Sequence, residues 1–128
     1  MFKGCYTALV TPMRNDGSVD YDGLERLIEF QIESNIQGVL AVGTTGESPT
    51  LLWEEHNEVI ERTVKLAKDR CLSIAGTGSN STKETLAGSE HAAHVGADAV
   101  LLVDPYYNGP SSLEIRREYV EPVAKEFP

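Results

Sequence analysis

The stretch Gly43-Thr44-Thr45-Gly46-Glu47-Ser48 puts the most chemistry into the fewest residues. Two adjacent threonines offer hydroxyls beside their own backbone N–H groups. A hydroxyl both donates and accepts, so it can hold an anionic oxygen or pass a proton. The flanking glycines allow close approach of the backbone to a ligand, or a positive φ. A second stretch, Gly76-Thr77-Gly78-Ser79-Asn80, repeats the glycine and hydroxyl pattern, and a third, Tyr106-Tyr107-Asn108-Gly109-Pro110, adds two phenols. The plain alternative for each is a capped turn. No Gly-x-Gly-x-x-Gly follows a strand and no phosphate-loop Gly-x-x-x-x-Gly-Lys-Ser/Thr occurs, which disfavours a nucleotide.

Other reactive side chains are sparse. Cys5 and Cys71 do not form a Cys-x-x-Cys pair, so zinc and dithiol redox sites are not expected. They read as buried, reduced thiols, in keeping with a cytoplasmic protein. His91 and His94 are three apart on one helix without a carboxylate or cysteine at matching spacing, so they read as exposed surface histidines and no metal is expected.

These residues need elements to position them. Cys5–Val10, Val39–Val42, Leu72–Ala75 and Ala99–Val103 are short apolar runs that predict strands. Thr11-Pro12 should end the first, because proline cannot donate to a ladder. Between the runs, apolar residues recur at helical spacing. Leu24, Leu27, Ile28 and Gln31 follow Asp20, a plausible N-cap. Val59, Ile60, Thr63, Val64 and Ala67 share one face of a helix spanning Trp53–Lys68. Ser81-Thr82-Lys83-Glu84 predicts a capping box opening a helix that Gly96 ends. Ser112–Phe127 predicts a last helix, with Pro122 kinking or breaking it.

The order is therefore βα four times over. Strands that are apolar throughout imply burial on both faces, and so a parallel sheet with helices outside. Two architectures fit: a small doubly wound sheet, and half of a TIM (β/α)8 barrel, which normally takes about 250 residues. In both, small molecules bind at the strands' C-terminal ends, where the three stretches fall.

With 128 residues the chain can bury one core, and a net charge of −9 argues against nucleic acid or an anionic membrane surface as a partner. No apolar run approaches the roughly 20 residues of a membrane span, and Met1-Phe2-Lys3-Gly4 lacks the apolar core of a secretory signal.

Four segments together resemble one family: Thr11-Pro12-Met13, Gly43-Thr44-Thr45-Gly46-Glu47-Ser48, Ala75-Gly76-Thr77-Gly78 and Pro105-Tyr106-Tyr107-Asn108. They are similar, in order and spacing, to 4-hydroxy-tetrahydrodipicolinate synthase (dihydrodipicolinate synthase), within the pyruvate-dependent class I aldolases that include N-acetylneuraminate lyase. The resemblance implies the first half of a (β/α)8 barrel, one N-terminal domain of about four parallel βα units over residues 1–128, stopping before the family's fifth strand. It implies an enzyme of lysine biosynthesis that condenses pyruvate with L-aspartate semialdehyde through a Schiff base on a sixth-strand lysine. No cofactor is implied, and a homo-oligomer, a dimer of dimers, is.

Residue by residue, Thr44 resembles the hydroxyl that links two tyrosines in a proton relay. Thr45 resembles the residue that binds the pyruvate carboxylate, with Thr44 beside it. Tyr107 resembles the tyrosine that crosses a dimer interface into the neighbouring site. Ser48, Trp53, His56, Asn80, Glu84 and Tyr106 match the residues lining an inhibitory L-lysine site, with Glu84 facing the ammonium and Asn80 and Tyr106 the carboxylate. Lys3 precedes the first strand, and Lys65, Lys68, Lys83 and Lys125 fall on predicted helices, so none is placed to be the Schiff-base nucleophile and the 128 residues alone are expected to be inactive. Other pyruvate aldolases or lyases of the family, a non-catalytic self-associating half-barrel, and a flavodoxin-like domain with phosphate or flavin in its loops stay open at this stage. A half-barrel would leave its first and fourth strand edges and its inner face uncovered.

Overall fold

The alternation of apolar runs and amphipathic segments becomes a wall of four βα units in the computed structural model of the chain, which describes residues 3–127. The strands are β1 (Tyr6–Ala8), β2 (Gly38–Ala41), β3 (Leu72–Gly76) and β4 (Ala99–Leu101). All pair in parallel, in the spatial order β1-β2-β3-β4. A doubly wound sheet reverses its order at a switch point. Here it never reverses, so the crossovers stack the helices on one side, as in a barrel wall. That excludes the doubly wound and flavodoxin-like alternatives. The architecture is α/β, the first half of a TIM barrel.

The helices are α1 (Tyr21–Glu33), α2 (Trp53–Ala67), α3 (Thr82–Val95), α4 (Ser112–Glu114) and α5 (Glu121–Glu126), with a 3-10 turn at Ser48–Thr50 and a π-helical turn at Ile115–Val120. Asp20 caps α1, its Oδ1 accepting from Gly23 N at 3.1 Å. Gly96, at φ +90°, ends α3 in the left-handed conformation. The core fills the layer between strands and helices. Val39, Ala41 and Ala75 from the sheet meet Leu24 and Ile28 of α1, Val59 and Ile60 of α2, and Ala92 of α3.

Several expectations are corrected. The third strand keeps its expected run and gains Gly76, while the other three ladders are shorter than, or offset from, their apolar runs. The second ends at Ala41 because Val42 turns to φ +47°, and the fourth ends at Leu101, two residues before Val103. The capping box predicted at Ser81 and Glu84 forms only by half: Ser81 Oγ accepts from Glu84 N, but the Glu84 carboxylate accepts from Ser79 Oγ instead. A complete box forms at Ser111 and Glu114. Pro122 does not break the last helix. The chain widens by one residue into the π-helical turn ahead of it, and helical dihedrals continue across both junctions. Cys5 is exposed rather than buried, since it precedes the ladder, and Cys71 is only half-buried. His94 is exposed as expected, but His91 is half-buried, its Nε2 3.2 Å from the Asn57 carbonyl.

The opposite face of the sheet is uncovered. Ala8, Leu40, Ile74 and Ala99 stand in register across the strands. At the ladder's last rung Leu101 is 47% exposed, and beyond the strand ends Val10 is 53% and Val103 41% exposed.

Candidate active site and neighbouring cleft

The turn after β2 is wound tightly by its own backbone. Gly46 N donates to Gly43 O at 3.0 Å and Glu47 N to Thr44 O at 3.1 Å. It is anchored from outside by Thr11, whose Oγ1 donates to Gly46 O at 2.7 Å in a buried bond. Thr11 thus explains why a threonine stands where β1 ends, a role its position in sequence did not reveal. Two non-glycine residues here, Val42 (φ +47°) and Glu47 (φ +58°), hold left-handed dihedrals. For β-branched Val42 that conformation is strained, and such strain collects at functional sites. The second stretch, after β3, comes close: a Cβ on Gly76 would collide with the Val42 carbonyl, and one on Gly78 with Val103 N. Only glycine lets β3 and its loop sit between β2 and β4 at this level.

The result is a cleft of about 310 Å³ at the strands' C-terminal ends, bounded by Gly43, Thr44, Pro49, Gly76, Leu101 and Tyr106. Thr44 lines it. Thr45 is exposed on the same turn but is not part of the lining. Tyr107 belongs to neither cleft. It is fully exposed, with φ +70°, and Asn108 N donates to Tyr106 O at 2.9 Å around it, a strained γ-turn. Asn108 Nδ2 ties this loop to the one after β3 through Asn80 O at 2.8 Å.

A second cleft, about 150 Å³, shares the wall made by Ser48, Pro49, Gly78 and Tyr106. Ser48, Trp53, His56, Glu84 and Tyr106 come together there, while Asn80 stands beside it and is not in the lining. Ser79, which the sequence did not single out, does line it and hydrogen-bonds Glu84. His56 is 2% exposed; its Nε2 lies 3.0 Å from Gly76 O, so Nε2 carries the proton, and Nδ1 has no hydrogen-bond partner among the described residues. Burial pushes the His56 pKa below its ordinary 6.5, only partly opposed by Asn57 and the Gly76 carbonyl. The ring of Trp53 packs edge-on against it at 5.0 Å. Trp53 is therefore not core: it is 41% exposed.

A wider groove, about 530 Å³, opens at the opposite end among Lys68, Arg70, Cys71 and Asp98. It lies at the strands' N-terminal ends, the stabilising rather than the chemical face of a barrel. No cluster of three metal-ligating side chains exists among the described residues, and no helix is long and apolar enough to cross a membrane.

Parallel strands in unbroken order, with hydroxyls and phenols gathered over their C-terminal ends, define a chain of the TIM-barrel class. Comparison with known proteins gives the particular family. Residues 1–127 match the dihydrodipicolinate synthetase family, and the chain belongs to it. A 4-hydroxy-tetrahydrodipicolinate synthase of Gluconacetobacter diazotrophicus is 50% identical over 120 residues, covering 94% of this chain and 40% of that protein. Among solved structures, the chloride-inhibited dihydrodipicolinate synthase from Acinetobacter baumannii complexed with pyruvate superposes with a TM-score of 0.93 at 44% identity, covering 98% of this chain and 43% of that one. The enzyme from Cyanidioschyzon merolae with lysine bound gives 0.89 at 38%, covering 94% and 41%. The chain thus spans less than half the length of the relatives it matches.

Proposed function

We propose that this chain is the N-terminal half-barrel of a 4-hydroxy-tetrahydrodipicolinate synthase, a lyase that condenses pyruvate with L-aspartate semialdehyde. The observation that carries this reading is the turn at 43–48, strained and anchored, with Thr44 opening into the strand-end cleft of a chain from this family. The amine of a lysine elsewhere in the protein adds to the pyruvate C2 carbonyl and water leaves, giving the Schiff base. Loss of a C3 proton gives the enamine, whose C3 attacks the aldehyde carbon while the aldehyde oxygen takes up a proton. Thr45 binds the pyruvate carboxylate, and Thr44 relays protons with Tyr107 and a second tyrosine outside these residues. Among the described residues no hydrogen bond joins Thr44 to Tyr107. The fully exposed, strained Tyr107 suits a residue that works across an interface in a homo-oligomer.

The lysines support a nucleophile outside residues 1–128: Lys65 lies in α2, Lys68 at its end, Lys83 in α3, Lys125 in α5, and Lys3 ahead of β1. The 128 residues alone are accordingly proposed to be inactive. Incubating the intact protein with pyruvate and borohydride, followed by mass mapping, tests this. The expected result is one reduced pyruvate adduct, on a lysine beyond residue 128. An unmodified intact protein, or an adduct on Lys83 or Lys125, would refute it.

The second cleft supports an inhibitory L-lysine site. The Glu84 carboxylate, beside the His56 ring in the lining, supplies the charge for an ammonium. The lysine bound in the Cyanidioschyzon merolae relative agrees with that chemistry. Calorimetric titration of L-lysine into the intact protein checks it, and binding unaffected by E84Q would count against it.

A further inference from the structure

Tyr119 is a buried phenol that the chemistry above does not use. It is 2% exposed and its hydroxyl is fully engaged. Oη donates to Val103 O at 2.8 Å and accepts from Ser79 N at 3.1 Å and from Thr85 Oγ1 at 3.2 Å; the Ser79 N–H is shared, since it also donates to Thr85 Oγ1 at 3.0 Å. Three segments therefore meet on one oxygen: the loop that lines the second cleft, the start of α3, and the chain leading from β4 to Tyr106 and Tyr107.

Local sequence explains how the phenol gets there. Pro122 has no N–H for the carbonyl of Glu118, and the helix widens into the π turn that contains Tyr119. The Glu118 carbonyl accepts instead from Thr82 Oγ1 at 2.9 Å, which docks the turn on α3. Nearby, Asn108 Nδ2 reaches Asn80 O, so the two loops are joined at both their inner and outer ends.

We propose that Tyr119 is a positioning residue that fixes the Tyr106–Tyr107 loop to the Ser79–Asn80 loop after β3, so that the two move as one unit. The second cleft, through Ser79, and the Tyr107 loop are then linked at their inner ends by the Tyr119 hydroxyl, beside the outer tie from Asn108 to Asn80. The turn carrying Thr44 and Thr45 is held separately, by Thr11.

The test is Tyr119→Phe, which keeps the ring and removes the hydroxyl, compared with Thr82→Val, which cuts the neighbouring tie to Glu118 without touching Val103 or Ser79. Native-state hydrogen exchange on the intact protein should show the amides of Ser79 and Asn108 both exchanging about tenfold faster in Y119F, the scale of one lost buried hydrogen bond. T82V should leave the Asn108 amide as it is. Faster exchange at Ser79 alone, or an equal effect of T82V on Asn108, would overturn the proposal. The wild type supplies a second reading that does not depend on how the variant folds: with rising urea, Ser79 and Asn108 should merge into one opening unit, and separate units would overturn it. The kinetic consequence rests on the proposed function. In Y119F kcat should fall about tenfold while KM for pyruvate stays within about twofold, since substrate anchoring lies on the other loop. A rise in KM with kcat unchanged would overturn the link to Tyr107. A wild type that does not condense pyruvate would refute the proposed function, and exchange would still decide the positioning role.

Discussion

The two faces of the sheet are made of similar residues and live in opposite environments. On the outer face Val39, Ala41 and Ala75 are almost wholly buried under α1, α2 and α3. On the inner face Ala8, Val10, Leu101 and Val103 are exposed. Valine and alanine appear on both, so composition does not separate them. What separates them is that every crossover in this chain returns its helix to the same side. A sheet wound that way buries one face by itself and leaves the other to be covered by further strands or another chain, with open edges at β1 and β4. The inner face is also the floor of the strand-end cleft, through Leu101 and Val103. Covering it and completing the site are one requirement.

The contrast can be broken most directly by truncation on the buried side. Ile60→Ala, at a fully buried position, is expected to destabilise the chain by about 2–5 kcal/mol in urea unfolding. Leu101→Ser on the open face should leave the stability of the isolated 128 residues nearly unchanged, and an equal loss would show that the inner face is already covered by self-association. Gly76→Ala comes next: its Cβ would collide with the Val42 carbonyl, which overpacking figures put at about 1–3 kcal/mol. Thr11→Val removes the anchor of the threonine turn and strands the buried Gly46 carbonyl, for about 1–3 kcal/mol. In the intact protein it should raise KM for pyruvate, which steady-state kinetics can read.

The smallest effect is one of pH. His56 stays neutral when folded below the pH at which it protonates unfolded. Its folded pKa is depressed, so the unfolded state binds the proton more readily. Its contribution to stability is therefore intact above about pH 6.5 and declines as pH falls below that. His56→Gln should flatten that part of the curve, and an unchanged slope in pH-dependent melting would show that His56 is not its source.

Much of the site was legible because it rests on local chemistry. Gly43-Thr44-Thr45-Gly46 announces a turn with hydroxyls, and the βα rhythm puts that turn at a strand's C-terminal end. The left-handed Val42 was not legible, since nothing in a valine asks for φ +47°. Nor was the use of Glu84, which looks like half of a capping box and instead accepts from Ser79. Tyr119 read as one more residue of a helix that Pro122 should have disturbed. Its role appears only once the π turn brings it to Val103, 16 residues earlier, and to Ser79, 40 residues earlier.

Sequence by itself determined the order of elements, the parallel sheet, the family and the end of the sheet where the hydroxyl-rich turns gather. These follow from periodicity, capping residues and motif spacing, all short-range properties. The tertiary structure alone decided that the strand order never reverses, which apolar residues are core and which stand open, and which loops are tied together. Those depend on contacts between residues distant in the chain, and a strand that is apolar on both faces carries no mark of which face a helix will cover.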